Sequence, residues 1–272
     1  MLAIAQIVCI FATFHPPSDG QVVALTSQLQ NSSDSIELLT QRGIVFFHSH
    51  QYDRALADFE SALALSPGDP ALIRHKAATL NDAGFSLAAL AVLDRHIANN
   101  NTDVDALYLR ARIHVSLDLF VKAIADCEKV LDLAKSPRPE VFLELADTYL
   151  RSGNLQGREK TLARGITLLG PLAHFLEPLA RTQIALADFE KALATIEQFA
   201  KLSPHSFVPR LLAAERLESM GNLDPAMQAF SSLILAIDQS PRRIRTDENS
   251  QSSRQYATQA VLRLTAIKES RP

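Results

Sequence analysis

The chain is poor in several residue types that mark other classes of protein. Its 272 residues include no tryptophan, four tyrosines, nine glycines and two cysteines. So few glycines argue against an all-β chain with many tight turns. Cys9 lies in an apolar leader and Cys127 on a predicted packing face, so no disulfide framework is indicated. The net charge of −3 contains no basic excess that would attract phosphates, so we expect no nucleic-acid partner.

Basic residues are also missing from the start of the chain, where the first is Arg42. Residues 2–14 form an apolar run, but a helix that spans a bilayer needs about 20 residues. The run matches the apolar core of a secretory signal, although the usual positive start is missing. We expect residues 1–20 to be a signal peptide or apolar leader and the protein to be periplasmic or secreted. The alternatives are an uncleaved membrane anchor or a cytoplasmic protein with a misassigned start. Residues 21–35, rich in Ser, Gln and Asn, are expected to form a flexible lead-in.

The remaining composition, 47% hydrophobic and 21% charged, fits a folded chain with a core, and one helical segment recurs along it. Between Asp53 and Pro67 the apolar positions Leu56, Phe59 and Ala62 have helical spacing, and the proline ends the run. Equivalent helices open on a small residue at intervals of 34 or 69 residues, at Ala55, Ala89, Ala123, Ala192 and Ala226. The longer interval holds a degenerate copy around Arg158. A period of this length is typical of stacked helix pairs.

The first pair shows which family the repeat resembles. Its first helix carries Leu39, Arg42-Gly43 and Phe46, and its second carries Ala55 and Phe59 before Pro67. This pattern resembles a tetratricopeptide repeat in which Leu replaces the usual Trp. The small residues Gly43 and Ala55 would allow two helices to cross closely.

The resemblance covers residues 36–240 and implies an all-α fold. We expect a right-handed superhelical solenoid of antiparallel helix pairs, with about six repeats, followed over 241–272 by a polar linker and a C-terminal capping helix. That helix is predicted from Arg254 to Ser270, with its packing side formed by Tyr256, Ala260, Val261, Leu264 and Ile267.

The fourth repeat departs most from the pattern. Gly157-Arg158 replaces the small apolar residue, and Gly165 is expected to loosen the helix, since an interior glycine costs about 1 kcal/mol relative to alanine. We expect the stack to be least rigid there. In the fifth repeat Pro178 predicts that the first helix begins or kinks at this residue.

Motifs that would indicate chemistry are rejected in turn. His48 and His50 have no nearby acidic or cysteine cluster, and a metal site needs three or four convergent donors. The segment 99–105 lacks the glycine and the closing glutamate of a calcium loop, because Val104 and Arg110 occupy those positions. We predict no catalytic residues, no metal and no cofactor, and interpret the chain as a protein other than an enzyme.

In tetratricopeptide repeat proteins the first helices of the pairs line a concave groove that holds a partner protein or peptide. The resemblance therefore implies candidate groove residues here, namely Phe47, Arg74, Asn81, Tyr108, Arg112, Asp147, Arg151 and Arg181, with Glu215 and Glu218 in the sixth pair. Some family members bind a C-terminal carboxylate through Lys, Asn and Arg, but Thr40 and Ile44 stand at the first two of these positions. We therefore expect no such clamp. Arginines in the groove could pair with acidic side chains of a partner. Alternatively, they are solvated charges paired on the same surface.

The resulting hypothesis is a non-catalytic protein-interaction scaffold. The alternatives are an accessory or assembly subunit of an enzyme or envelope complex, or a structural protein that oligomerises through its C-terminal helix. Too few residues lie outside 36–240 for a separate catalytic domain.

Overall fold

The computed structural model describes residues 18–270 of the chain. Over this range fifteen α-helices follow one another and no strand occurs. The predicted all-α fold of consecutive helix pairs is thus confirmed. The helices are α1 (Ser18–Asn31), α2 (Ile36–His48), α3 (Tyr52–Leu65), α4 (Pro70–Asp82), α5 (Ser86–Asn99), α6 (Val104–Ser116), α7 (Phe120–Leu133), α8 (Pro139–Arg151), α9 (Leu155–Leu169), α10 (Ala173–Ala185), α11 (Phe189–Leu202), α12 (Val208–Ser219), α13 (Leu223–Asp238), α14 (Arg242–Arg245) and α15 (Glu248–Glu269). They belong to two compact units, one ending at Leu117 and the other beginning at Asp118.

The first unit shows why small residues recur in the sequence. Where α2 crosses α3, a Cβ atom added to Gly43 would lie 2.7 Å from Cε1 of Phe59. Only glycine leaves room for that ring, which is 1% exposed, and Ala55 beside it is completely buried. The same hairpin is fastened by two bonds from the Arg42 guanidinium to the Asp58 carboxylate, at 2.8 and 2.6 Å. The small residues Gly43 and Ala55 therefore allow both the close crossing of the two helices and the packing of the apolar core around Phe59.

The expectation of a flexible lead-in over 21–35 was wrong for most of that segment, because Ser18–Asn31 is the helix α1. Leu25 and Leu29 are spaced one helical turn apart, and both are buried against the first helix pair. The hydroxyl of Thr26 accepts a hydrogen bond from Arg42 at 3.1 Å. The polar residues that suggested a loop form the outer face of an amphipathic helix. The leader predicted over residues 1–20 lies outside the described residues apart from its last three.

The second unit continues the pattern with α8 against α9, α10 against α11 and α12 against α13. Gly165 of the degenerate fourth repeat is closely packed, because the rings of Phe175 and Phe142 approach its Cβ position to 3.2 and 3.3 Å. The missing side chain makes room for these two aromatic rings. The structure therefore shows no packing gap at Gly165, where we expected the helix to be loosened. The helix α10 begins at Ala173 and continues through Pro178, so this proline does not mark its start.

The chain after residue 240 is more ordered than its composition suggests. The expected polar linker contains the short helix α14, and α15 already begins at Glu248, where Asp247 caps the backbone amides of Asn249 and Ser250. This helix packs on α13 and α12, much as α12 packs on α11 and α10. Its buried stripe is Ser250, Ser253, Ala257, Ala260 and Leu264.

Two side chains predicted on the packing side of α15 are more exposed than expected, although the Tyr256 ring lies 6.3 Å from that of Phe230 on α13. Tyr256 is 41% exposed and Ile267 is 37% exposed. The helix starts earlier than predicted, and serines complete the buried stripe at its N-terminal end, which leaves Tyr256 at the edge of the contact. No described helix is both long and apolar enough to cross a membrane.

Candidate functional site

Arg74, predicted for the groove, belongs to a polar junction in the first unit. Its Nη1 donates to Oδ2 of Asp103 at 2.7 Å, and Nε2 of His96 lies 2.8 Å from the same oxygen. The other carboxylate oxygen accepts the amide of Ala106 at 3.0 Å and so caps α6. Burial, the largest influence, raises the pKa of Asp103, but these hydrogen bonds and the Arg74 charge together lower the pKa below its ordinary value. The junction ties α4, α5 and α6 together.

Phe47 and Asn81 also serve their own helix pairs. Phe47 is half-buried against the core of the first unit, with its ring centroid 6.1 Å from that of Tyr52. Asn81 accepts a hydrogen bond from the Ser86 hydroxyl at 2.9 Å and thereby fastens the turn between α4 and α5. Asn81, like Phe47, is half-buried.

The remaining candidates are half-buried or exposed. Tyr108 is half-buried and Arg112 exposed on α6 of the first unit. In the second unit Asp147 is exposed on α8. Arg151 pairs with Asp118 at 2.7 Å, and its guanidinium carbon lies 5.0 Å from the centroid of the Phe120 ring.

Arg181 lies in a cleft of the second unit, between α10, α12 and α15, with a volume of 430 Å³. We call it the α10–α12–α15 cleft. Nη1 of Arg181 lies 2.6 and 2.9 Å from the two carboxylate oxygens of Glu215. Across the cleft, Nη2 of Arg263 lies 2.7 Å from Oε1 of Glu218. The cleft is lined by Arg181, Ile184, Ala185, Glu215, Glu218, Ser219, Tyr256 and Arg263.

The charges in this cleft hold one another in place. Burial lowers the pKa of Arg181, but its hydrogen bonds and charge interactions with Glu215 and Glu177 outweigh that effect and raise the pKa. Burial, followed by the charges of Glu215 and Glu218, raises the pKa of the Tyr256 phenol, which therefore stays protonated. The cleft thus brings together fixed positive and negative groups, a phenol and an apolar wall.

Sequence reasoning found Arg181, Glu215 and Glu218, which the structure brings together, but missed Tyr256 and Arg263. These two residues are two helical turns apart on α15, which lies outside the repeats, so no repeat register marked them as groove residues. The signal was the spacing itself, because residues seven apart share one side of a helix.

A second cavity, of 590 Å³, lies between α3, α4 and α5 in the first unit. Its lining is mainly apolar, and an ion pair of 2.8 Å joins Lys76 and Glu60 at its edge. The apolar lining residues are Leu63, Ala64, Pro67, Ile73 and Val92. None of the predicted groove residues lines it.

The rejected metal motifs have local roles. Nδ1 of His50 lies 2.8 Å from the Tyr52 hydroxyl in an exposed turn, and Asp103 of the 99–105 segment is the cap described above. Within residues 18–270 no three His, Cys, Asp or Glu side chains converge where they could hold a metal ion.

Comparison with known proteins agrees with this architecture. A tetratricopeptide repeat family model matches residues 104–137, and no curated protein matches the sequence. Among solved structures, the C-terminal part of a tetratricopeptide repeat-containing protein from Cytophaga hutchinsonii has a TM-score of 0.61 at 14% identity, over 94% of this chain and 95% of the other. YrrB, a tetratricopeptide repeat protein with an unusual peptide-binding site, has a TM-score of 0.56 at 16% identity, over 74% and 97%. A tetratricopeptide repeat protein from Parabacteroides merdae has a TM-score of 0.52 at 17% identity, over 90% and 93%.

Identities this low establish similarity of fold alone. One repeat is matched by the family model, and helix pairs of the same size precede and follow it along the chain. The described chain therefore has the fold of tetratricopeptide repeat proteins, and one of its repeats, residues 104–137, matches their family model.

Proposed function

We propose that this protein is a non-catalytic scaffold that binds a partner protein or peptide, with the α10–α12–α15 cleft as a principal contact site. The observation that carries the proposal is the cleft itself. First helices of two successive pairs and the capping helix bring Arg181, Glu215, Glu218, Tyr256 and Arg263 to one concavity. A stack of helix pairs builds such a surface from side chains that are far apart in sequence.

The chemistry of the cleft suits an extended polypeptide. Its ion pairs are about one-tenth to one-half exposed, from 11% at Glu215 to 48% at Arg263, so their outer edges can bind backbone groups or charged side chains. Paired charges contribute specificity more than raw affinity, which favours recognition of a particular partner sequence. YrrB, whose fold is similar, has a peptide-binding site, and this supports a binding role by analogy of fold alone.

The buried polar residues of the described chain also support a non-catalytic scaffold, because they hold helices together. Asp103 and His96 fasten three helices, and Asp58 fastens the first helix pair. Their positions are explained by stability, and no reaction is needed to account for them.

Binding in the cleft is tested with a variant that blocks its edge. A set of short, C-terminally amidated peptides of unrelated sequence is arrayed and probed with the full chain, and the retained peptides are then titrated in solution. Ser219→Arg places a bulky charge at the exposed edge of the cleft, and Ser231→Arg makes the same change on the exposed side of α13. We expect affinity to fall about tenfold or more for the first variant only, the loss of one or two well-placed contacts. Equal binding by the two variants, or no retained peptide, would contradict the proposal.

We also propose that the chain is exported to the periplasm or secreted. The apolar run over residues 2–14 supports this, because its length matches the core of a secretory signal. Mass spectrometry of the N-terminus in the native host is expected to show cleavage near residue 20, and an intact Met1 on protein from the cytoplasm would refute export.

A further inference from the structure

Arg158 occupies a position that is alanine in every other repeat of this chain. Ala55, Ala89, Ala123, Ala192 and Ala226 are all completely buried where the two helices of a pair cross. In the fourth pair the same position carries a long side chain with a charge. A residue of this kind cannot remain within the crossing, so its guanidinium must extend beyond it.

The neighbours of Arg158 on α9 indicate the direction of that extension. A Cβ atom on Gly157 would lie 2.5 Å from the Tyr149 ring of α8, so Gly157 faces α8. Glu159 lies 3.5 Å from the amide nitrogen of Gln183 on α10. Successive residues of a helix are rotated by about 100°, so Arg158 points between α8 and α10.

The Arg158 guanidinium lacks the partners that nearby arginines have. Arg151, Arg164 and Arg181 all form ion pairs with acidic residues. Within the part of the chain that the structure describes, no hydrogen bond or ion pair reaches the Arg158 side chain, and its Nε is fully buried without an acceptor. A buried charged donor in this state costs free energy until an acceptor arrives.

One acidic side chain lies near Arg158 without a hydrogen bond to it. Burial is the largest influence and lowers the pKa of Arg158; the Asp147 carboxylate opposes this, and the positive charge of Arg181 adds to it. Asp147 is exposed and forms no hydrogen bond with the guanidinium. The guanidinium therefore has a carboxylate nearby but no acceptor for its buried Nε–H.

We propose that Arg158 binds the carboxylate of an acidic side chain in the peptide that this protein recognises, between α8 and α10. The inference rests on the proposed scaffold function and adds the chemical class of the ligand at one position. A carboxylate accepts two parallel hydrogen bonds from a guanidinium, which an amide of the same shape cannot reproduce. The fourth repeat is then degenerate because its alanine has been replaced by a specificity-determining residue.

The test uses the amidated peptides retained on the array, each synthesised with Glu and with Gln at its acidic positions. Amidation removes the chain-terminal carboxylate, so any preference for Glu comes from the side chain. We expect wild-type protein to bind the best Glu peptides about tenfold more tightly than their Gln versions, the effect of a hydrogen bond to a charged group. Arg158→Met, which keeps an unbranched stem, is expected to abolish this preference. Arg243→Met, at an exposed arginine of α14, is expected to preserve it.

A second measurement uses wild-type protein and so does not depend on the folding of a variant. The Nε–H resonance of Arg158 in nitrogen-15 spectra is expected to shift with the Glu peptide and to stay in place with the Gln peptide. An unchanged resonance, or a Glu preference that survives Arg158→Met, would overturn the inference. Binding that is sensitive to Ser219→Arg but indifferent to Glu or Gln would overturn this inference and leave the proposed function standing. If wild-type protein retains no peptide, both fail.

Discussion

Replacing Asp103 tests whether the predicted groove residue Arg74 is part of the structural framework. The carboxylate is 7% exposed and joins Arg74, His96 and the first turn of α6. Asp103→Ala removes all three connections at once and leaves the buried His96 and the half-buried Arg74 with one partner fewer. Asp103→Asn keeps a side-chain oxygen that can cap α6 but removes the charge.

The magnitude follows from these contacts. Loss of the cap costs about 1 kcal/mol, and the two bonds to charged or polar partners add about 2 kcal/mol, because Arg74 is 28% exposed and partly screened. We expect Asp103→Ala to lower the free energy of unfolding by about 3 kcal/mol and Asp103→Asn by about half of that.

Urea unfolding followed by circular dichroism measures the loss, and hydrogen exchange locates it. Amides of α4 to α6 should exchange faster in Asp103→Ala, while those of α12 to α15 keep their rates, since repeats contact mainly their neighbours. A loss below about 0.5 kcal/mol, the usual range of a surface change, would refute the structural role. An equal loss in the Asn variant would contradict the assigned share of the cap, because the charge would then account for the whole contribution.

The pH dependence of this contribution has a defined sign. The pKa of Asp103 is lower in the folded chain than in an unfolded one, so its stabilisation is complete above the unfolded value. It should be lost as the pH falls below about 4 and passes through the folded pKa. The difference in stability between wild type and Asp103→Asn should therefore shrink in acid.

Three further predictions concern the packing of the pairs. Ala89→Leu should lower the unfolding free energy by about 1–3 kcal/mol, because it overpacks a fully buried helix crossing. Ala88→Leu, on the exposed side of the same helix, should change it by less than about 0.5 kcal/mol. Equal melting temperatures for the two variants would count against the assigned register. Arg158→Met should raise the unfolding free energy by about 1–3 kcal/mol by removing an unpartnered buried donor, and a loss of stability in urea would show that the guanidinium is satisfied. Burial, together with the charges of Glu144 and nearby acidic residues, raises the pKa of the Cys127 thiol to about 12. In a Cys9→Ser background a thiol reagent should therefore modify the chain only after unfolding. Rapid labelling of the folded protein would contradict this prediction.

The fold could be predicted because one steric requirement recurs with a fixed period. Two helices that cross closely need a small residue, so the alanines from Ala55 to Ala226 reveal both the helix pairs and their register. The helix α1 precedes the first repeat, and its polar face concealed the spacing of Leu25 and Leu29. No other segment of the sequence repeats it, so the period could not identify it as a helix.

The candidate site could be predicted only in part from the sequence, for a related reason. Positions that recur on first helices share a face, so Arg181 and Glu215 could be placed together before their contact was seen. Pairing between side chains is not periodic. Asp103, which captures Arg74, lies in a turn between repeats, and Arg263 lies on a helix outside them. The meaning of Arg158 also depended on structure, since the sequence shows the replaced alanine but not the missing partner.

The central claim is that partners bind where the first helices and α15 meet, and site-specific photo-crosslinking tests it most directly. A photoreactive amino acid is placed at Ser219, at the edge of the α10–α12–α15 cleft, or at Leu202, which is 50% exposed at the end of the second helix α11. With a retained array peptide, the account predicts crosslinks from position 219 and none above background from position 202. Crosslinks from position 202 alone would contradict it.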